Sequence, residues 1–187
     1  MACITLNSLV SFNKKNHSYK KGILLLATVA LTYLIGMLLF FCAVNISMMP
    51  TTGRSMTPTI LDNSTLTYST SPVLKERLKR FDIIVFEKRA EDGSVVQIAK
   101  RVIGLPGDRV VIDYGQLFVN GRLIEENYIK DEVWGDATND QTDVIVPDGH
   151  LFVLGDNRNF SNDSRDDEIG MVSLRDEYLG MYLFSYE

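Results

Sequence analysis

The apolar positions of this chain fall into two rhythms. Residues 23–44 pass without a charge. As a helix rising about 1.5 Å per residue they span roughly 33 Å, enough for the hydrocarbon core of a bilayer. After that the apolar runs are short and polar residues break them. Residues 82–86, 95–103, 109–112, 116–119, 144–146 and 151–154 read as strands, and 178–184 as a last strand too short to span a membrane. Asn120-Gly121, between Phe118-Val119 and Leu123-Ile124, predicts a two-residue hairpin. Glu91-Asp92-Gly93 reads as a turn, residues 72–80 as a short helix and 135–143 as a polar loop. Many short strands punctuated by Gly, Pro and Asn predict a mainly β, antiparallel barrel or sandwich behind one N-terminal helix.

Charge sharpens the division. The first 44 residues hold Lys14, Lys15, Lys20 and Lys21 and no Asp or Glu. Residues 45–187 therefore carry 15 basic against 24 acidic residues, a net of −9 that the overall −5 conceals. Lysines ahead of an apolar span place the N-terminus in the cytoplasm. No second run of that length follows, which puts residues 45–187 on the far side. The expected organisation is a cytoplasmic segment 1–22, a membrane anchor 23–44 and an extracytoplasmic domain 45–187. A cleaved secretory signal is the alternative. Its apolar region would be about 7–15 residues long, and no Ala-x-Ala site follows this span.

Cys3 and Cys42 are the two cysteines, so the domain must fold without disulfides, which about 140 residues can do. No lipobox-like run precedes Cys42. Two histidines, His17 and His150, and no cysteine in the domain leave little for a zinc site, and no cofactor is expected. His17 is separated by the span from the domain. His150 follows Pro147-Asp148-Gly149 and reads as a strand-edge residue more readily than as a base. The acidic domain disfavours nucleic acid as a partner.

Chemistry must come from other residues. Ser55 lies just beyond the span in Gly53-Arg54-Ser55-Met56-Thr57-Pro58-Thr59. A serine is a weak nucleophile until a neighbouring base takes its proton; alone, the stretch also reads as a turn broken by Pro58. Lys100 shares strand parity with Val96, Ile98 and Val102, while Gln97 and Arg101 fall on the other face. If the Val96 face is the core face, burial disfavours the ammonium. An amine with a pKa near about 10.4 needs roughly three pH units, about 4 kcal/mol of desolvation, to become a base near neutrality. The competing reading is a lysine whose stem packs while its head reaches water. A third stretch, Gly155-Asp156-Asn157-Arg158-Asn159-Phe160-Ser161-Asn162-Asp163-Ser164-Arg165, is either a solvated loop or a scaffold in which Arg and Asp pair and a hydroxyl orients a base.

Together these segments resemble the type I signal peptidases, membrane-bound serine proteases that remove signal peptides, and in particular their short Gram-positive form. The resemblance covers nearly the whole chain. It runs from the anchor through Ser-Met-x-Pro-Thr at 55–59, Arg-x-Asp-Ile-x-x-Phe at 80–86 and Lys-Arg-Val-x-Gly-Leu-Pro-Gly-Asp at 100–108. It ends in Gly-Asp-Asn-Arg-x-x-Ser-x-Asp-Ser-Arg at 155–165. It implies a signal-peptidase-like antiparallel β-barrel with Ser55 as nucleophile and Lys100 as general base. Ser161 would orient the lysine, Asp163 and Arg165 would support the catalytic loop, and Met56 and Pro58 would lie against substrate. Precursor proteins and the lipid bilayer are the implied partners. The chain departs from the family pattern at four positions. Gly53 stands where many members carry a serine that serves the oxyanion hole, Phe81 where glycine is usual, and Asn159-Phe160 where a more polar pair is usual. Two other readings stay open: a self-cleaving Ser/Lys repressor, which would need a DNA-binding region, and a non-catalytic anchored module.

Overall fold

The structure, a computed structural model, describes residues 6–43, 45–90, 92–129 and 142–186. It divides into two units, 1–44 and 45–187. The first is one helix, α1 (Leu6–Ala43). It begins well before the apolar span, and its stretch Tyr19–Phe40 is long and apolar enough to cross a membrane. Within it Thr28 and Thr32 donate their hydroxyls to the carbonyls of Leu25 and Val29 (2.8 Å each). That keeps both polar groups satisfied without water.

The second unit is antiparallel β. Its strands are β1 (Ile46–Pro50), β2 (Thr65–Ser69), β3 (Ile83–Arg89), β4 (Val95–Gly104), β5 (Arg109–Asp113), β6 (Gln116–Val119), β7 (Arg122–Leu123), β8 (Thr142–Ile145), β9 (His150–Leu154), β10 (Val172–Ser173) and β11 (Tyr178–Tyr186). Seven form a sheet in the order β1-β2-β11-β3-β4-β9-β10, and β7-β6-β5-β8 form a second. The mainly β, antiparallel expectation holds. Asn120 and Gly121 both adopt positive φ (53° and 75°) between the paired residues Val119 and Arg122, the conformation a two-residue hairpin requires.

Some expectations change. The helix read over 72–80 is shorter, α2 (Pro72–Glu76). The loop read over 135–143 falls mostly outside the described residues, and its last two, Thr142 and Asp143, open β8. Glu91 of the expected turn also lies outside them. Strands β1, β2 and β10 are not among the expected ones. β1 is Ile-Ser-Met-Met-Pro directly after the apolar span, β2 is Thr-Leu-Thr-Tyr-Ser, and β10 has two residues. β1 and β10 show no apolar alternation; β2 does alternate, with Leu66 and Tyr68 between hydroxyl residues, but Thr67 and Ser69 are buried as well.

The long strand β4 positions the chemistry. It pairs with β3 from Val95 to Arg101. Its other neighbour, β9, pairs with it from Arg101 to Gly104. Lys100 lies opposite Ile84. Ile84, Phe86, Val102, Leu151 and Val153 form one buried cluster with Ile98 against it, so the parity expected for Lys100 does aim it at apolar surroundings. The apolar face starts later than expected, since Val96 at the outer end is exposed. The opposite face of β4 is buried too, with Arg101 on it.

Residues 80–82 are strapped to this strand. The Phe81 N–H donates to the Val102 carbonyl and the Val102 N–H to the Asp82 carbonyl (2.8 Å each). Arg80 donates to the Ile103 carbonyl and pairs with Asp108 at 3.0 Å. Phe81 sits at φ 75°, so the left-handed turn expected of glycine is made here by phenylalanine. Arg101 donates to its carbonyl (2.8 Å), and its ring lies 6.1 Å from that of Tyr128. These contacts offset the strain of that backbone.

Candidate active site

Ser55 is set by its neighbours in sequence. Gly53 turns the chain at φ 100°, and its N–H donates to Asp62 Oδ1 (2.8 Å). Met56 and Ile60 are buried with Leu66, Ile83 and Val85, and Ile60 N–H closes a turn onto the Met56 carbonyl (2.9 Å). Burying these two apolar side chains, each worth about 1.5–3 kcal/mol, fixes the turn. Ser55 is left half-buried at the mouth of a cavity of ≈ 160 Å³. The cavity runs between Met49–Gly53 on one side and Val96–Ala99 of β4 on the other, with Met56 also lining it. Pro58 is exposed and faces a second, smaller cavity with Asn157 and Asn159.

Lys100 follows Ala99 on β4 and is 3 % exposed. Its pKa falls from 10.5 to about 8. Burial against the apolar cluster is the main cause, with the positive charge of Arg165 acting the same way. Asp163, Asp156 and Asp166 pull in the opposite direction without cancelling it. A lysine in this state keeps an appreciable neutral fraction near neutrality, as a general base requires.

The third stretch meets the first at Gly155. The Asn157 N–H donates to the Ser55 carbonyl (2.9 Å) and the Asn157 side chain to the Arg54 carbonyl (3.1 Å). A Cβ on Gly155 would lie 2.1 Å from Ser161 Oγ and 2.5 Å from the Ser55 carbonyl oxygen. Only glycine allows so close an approach. Ser161 Oγ is buried with no hydrogen-bond partner among the described residues. A buried hydroxyl left unpaired costs about 1–3 kcal/mol, so its retention beside Ser55 calls for a reason. Asp163 is fully buried. It accepts the Gly155 N–H (3.0 Å) and a two-pronged pairing from Arg165 (2.8 and 3.0 Å). Arg165 reaches on to the Arg158 carbonyl (2.8 Å).

The fold thus gathers Ser55, Ser161, Asp163 and Arg165 around one glycine, with Lys100 in the electrostatic field of the last two. Residues 24–186 match the family described as signal peptidase, peptidase S26. The chain belongs to the signal peptidase family, peptidase S26. Signal peptidase I of Bacillus caldolyticus is 37% identical over 149 residues, covering 72% of this chain and 75% of that protein. Signal peptidase I of Bacillus licheniformis is 36% identical over 162 residues, covering 83% and 82%. A solved signal peptidase I from Enterococcus faecalis aligns with a TM-score of 0.44 at 33% identity, over 56% of this chain and 95% of that one.

Against that family background, the glycine at position 53 has a local reason: at φ 100° a side chain there would be strained. Its N–H is engaged by Asp62, so it does not face the cavity as a free donor. Sequence reasoning missed a second set of buried charges. Arg101 grips Asp156 through Nε and Nη2 (2.8 and 2.6 Å), and Thr59 donates its hydroxyl to the same carboxylate. Arg158 pairs with Glu126. The expectation that Arg and Asp would pair within the 155–165 stretch holds for Asp163 and Arg165. Asp156 and Arg158 find partners far away in sequence, for which a single sequence offers no signal.

Proposed function

We propose that this chain is a membrane-anchored serine endopeptidase that cleaves N-terminal signal peptides from exported precursors, with Ser55 as nucleophile and Lys100 as base. The observation that carries the reading is Lys100 buried on an apolar strand face, its pKa lowered to about 8, within the field of the Asp163 that holds the Gly155 loop where Ser55 and Ser161 converge. Neutral Lys100 takes the Ser55 Oγ proton as the oxygen attacks the scissile carbonyl. The resulting ammonium gives that proton to the departing amine, which leaves the signal peptide as an acyl ester on Ser55. Water then attacks the ester, Lys100 takes its proton, and Ser55 recovers its own on release. The Ser55 N–H serves as one oxyanion donor. Ser161, whose buried hydroxyl has no hydrogen-bond partner among the described residues, is the group available to orient the lysine amine, and Asp163 with Arg165 holds the Gly155 loop.

Substrate lies extended between Met49–Gly53 and Val96–Ala99, presenting small side chains to the cavity that Met56 helps to line. Pro58 shapes the other side of the Ser55 turn. The apolar segment 23–44, which overlaps the span-length stretch Tyr19–Phe40, anchors the enzyme in the bilayer with residues 1–22 cytoplasmic and 45–187 outside, as the lysine bias of the N-terminus favours. Precursors are held in the same membrane, and a shared surface raises their effective concentration and fixes the depth of the bond to be cut.

The test is incubation of the detergent-solubilised full chain with a peptide spanning an Ala-x-Ala signal site. One cut, directly after the second alanine, is the expected product. Folded protein that leaves the peptide intact would favour a non-catalytic anchored module.

A further inference from the structure

A buried charge network links two residues outside the four motif segments, Glu126 and Tyr128, to the loop that packs on the Ser55 turn. It starts in the segment that follows β7. Glu126 receives the Arg158 guanidinium as a fork, with Nη1 on Oε2 (2.8 Å) and Nη2 on Oε1. The Tyr128 hydroxyl donates to the same carboxylate. The Tyr128 ring carries the Arg101 guanidinium over its face, 4.1 Å from its centre, and meets the Phe81 ring on its flank. Arg101 in turn grips Asp156. Side-chain exposure is 3 % for Arg158, 9 % for Glu126, 11 % for Arg101 and 0 % for Asp156. Two cations and two anions alternate with nearly all of their surface removed from water, and a pair buried this deeply does not tolerate the loss of one member.

The network has a direction. Arg158 Nε donates to the Gly155 carbonyl (3.1 Å), while Gly155 packs directly on the Ser55 carbonyl and the Ser161 hydroxyl. Two residues further on, Asn157 holds the Ser55 carbonyl by its N–H. Glu126 fixes the guanidinium that fixes the Gly155 peptide, and Tyr128 locks both the Glu126 carboxylate and Arg101. Burial and the neighbouring Glu126 charge raise the Tyr128 pKa far above neutrality, so its hydroxyl remains a donor throughout the working range.

We propose that Glu126 and Tyr128 are positioning residues for the reaction at Ser55, acting through Arg158 and the Gly155 loop without touching substrate. The proposal rests on the reading of Ser55 as nucleophile. Their role is to keep the Ser55 turn in register with Lys100. Small misplacements of reacting groups lower turnover steeply, about 100-fold for 1 Å. The substrate cleft between Met49–Gly53 and β4 is built from other segments, so binding is spared.

The experiment compares Glu126→Gln, Tyr128→Phe and Arg158→Lys with the parent full chain in detergent, on the Ala-x-Ala peptide and well below each variant's melting temperature. Glu126→Gln is expected to lower kcat about 10- to 100-fold with KM within about twofold. Tyr128→Phe keeps the ring under Arg101 and should lower kcat less. Arg158→Lys keeps the charge pair but loses the Nε contact to Gly155, and should lower kcat with KM unchanged. The pH midpoint of kcat/KM should stay near that of the parent in all three, since none adjoins Lys100. If Glu126→Gln does not fold, the other two carry the test. Variants that melt earlier but keep the parent kcat would overturn the proposal, as would a rise in KM at constant kcat. Absence of cleavage by the parent chain, or cleavage that survives Ser55→Ala, would instead sink the Ser/Lys reading itself.

Discussion

Lys100→Met is expected to abolish signal-peptide cleavage and at the same time to stabilise the folded domain. Ser55→Ala should abolish cleavage without that gain. The activity loss expected in both follows from the proposed division of labour: without a base the serine is a weak nucleophile, and without the serine the base has nothing to deprotonate. Residues acting as one unit lose nearly everything when either is removed, a fall on the order of 10⁴-fold or more. The stability gain follows from the cause of the lowered pKa. Lys100 is held near about 8 instead of 10.5 chiefly because its ammonium is buried against Ile84, Phe86 and Val102. The unfolded chain binds that proton more tightly than the folded one, so below the folded pKa folding carries a penalty of roughly 3 kcal/mol, at about 1.4 kcal/mol per pH unit. As pH rises from about 8 to 10.5 the penalty fades, because the folded chain is already neutral and holding the proton favours the unfolded chain less and less until it too is neutral. Methionine fills a similar volume without a charge. The variant should therefore melt several degrees above the parent at pH 7, with the difference closing above pH 10. A parent that melts no earlier than Lys100→Met at pH 7 would contradict the buried-amine account.

The second large effect is expected at Gly155. A methyl group there lies 2.1 Å from Ser161 Oγ, 2.5 Å from Ser161 Cβ and 2.5 Å from the Ser55 carbonyl oxygen. The serine side chain can swing aside, but the Ser55 carbonyl is backbone and moves only with the whole turn. Gly155→Ala should cost at least about 1–3 kcal/mol by overpacking. Whatever folds should turn over about 100-fold more slowly or worse, since Ser55 itself is displaced. Gly121→Ala is the control. Gly121 also sits at positive φ (75°), but open space surrounds its Cβ direction. It should lose a comparable stability through strain alone and retain full kcat. Equal kcat losses in the two variants would mean that Gly155 matters only through stability.

The sequence made the local chemistry legible and left the long-range chemistry hidden, for physical reasons. Strand parity alone aimed Lys100 at an apolar face, because a two-residue period survives whatever the strand pairs with. Asn120-Gly121 predicted its hairpin because the φ > 0 requirement is local. The motif order in 55–59, 80–86, 100–108 and 155–165 marked the segments that meet: Arg80 pairs with Asp108, and the Gly155 loop meets Ser55. Strands β1 and β2 escaped because β1 follows the apolar span without alternation and β2 is a single short run, and they are ordered by pairing, β1 with β2 and β2 with β11. The pairs Arg101–Asp156 and Arg158–Glu126 escaped because charge in a polar stretch reads as solvated until the fold removes the water. Phe81 shows tertiary contacts overriding local preference: the left-handed turn persists without glycine because Arg101, Val102 and Tyr128 over-determine it.

Cleavage as proposed requires Lys100 to act as a neutral amine toward Ser55. The most direct measurement is kcat/KM of the detergent-solubilised full chain on the Ala-x-Ala peptide from pH 6 to 10. Activity should rise with pH through a midpoint near 8, where burial places the lysine, and then level off. A profile flat between pH 7 and 9, or one still rising toward the ordinary lysine range near about 10.4, would contradict it.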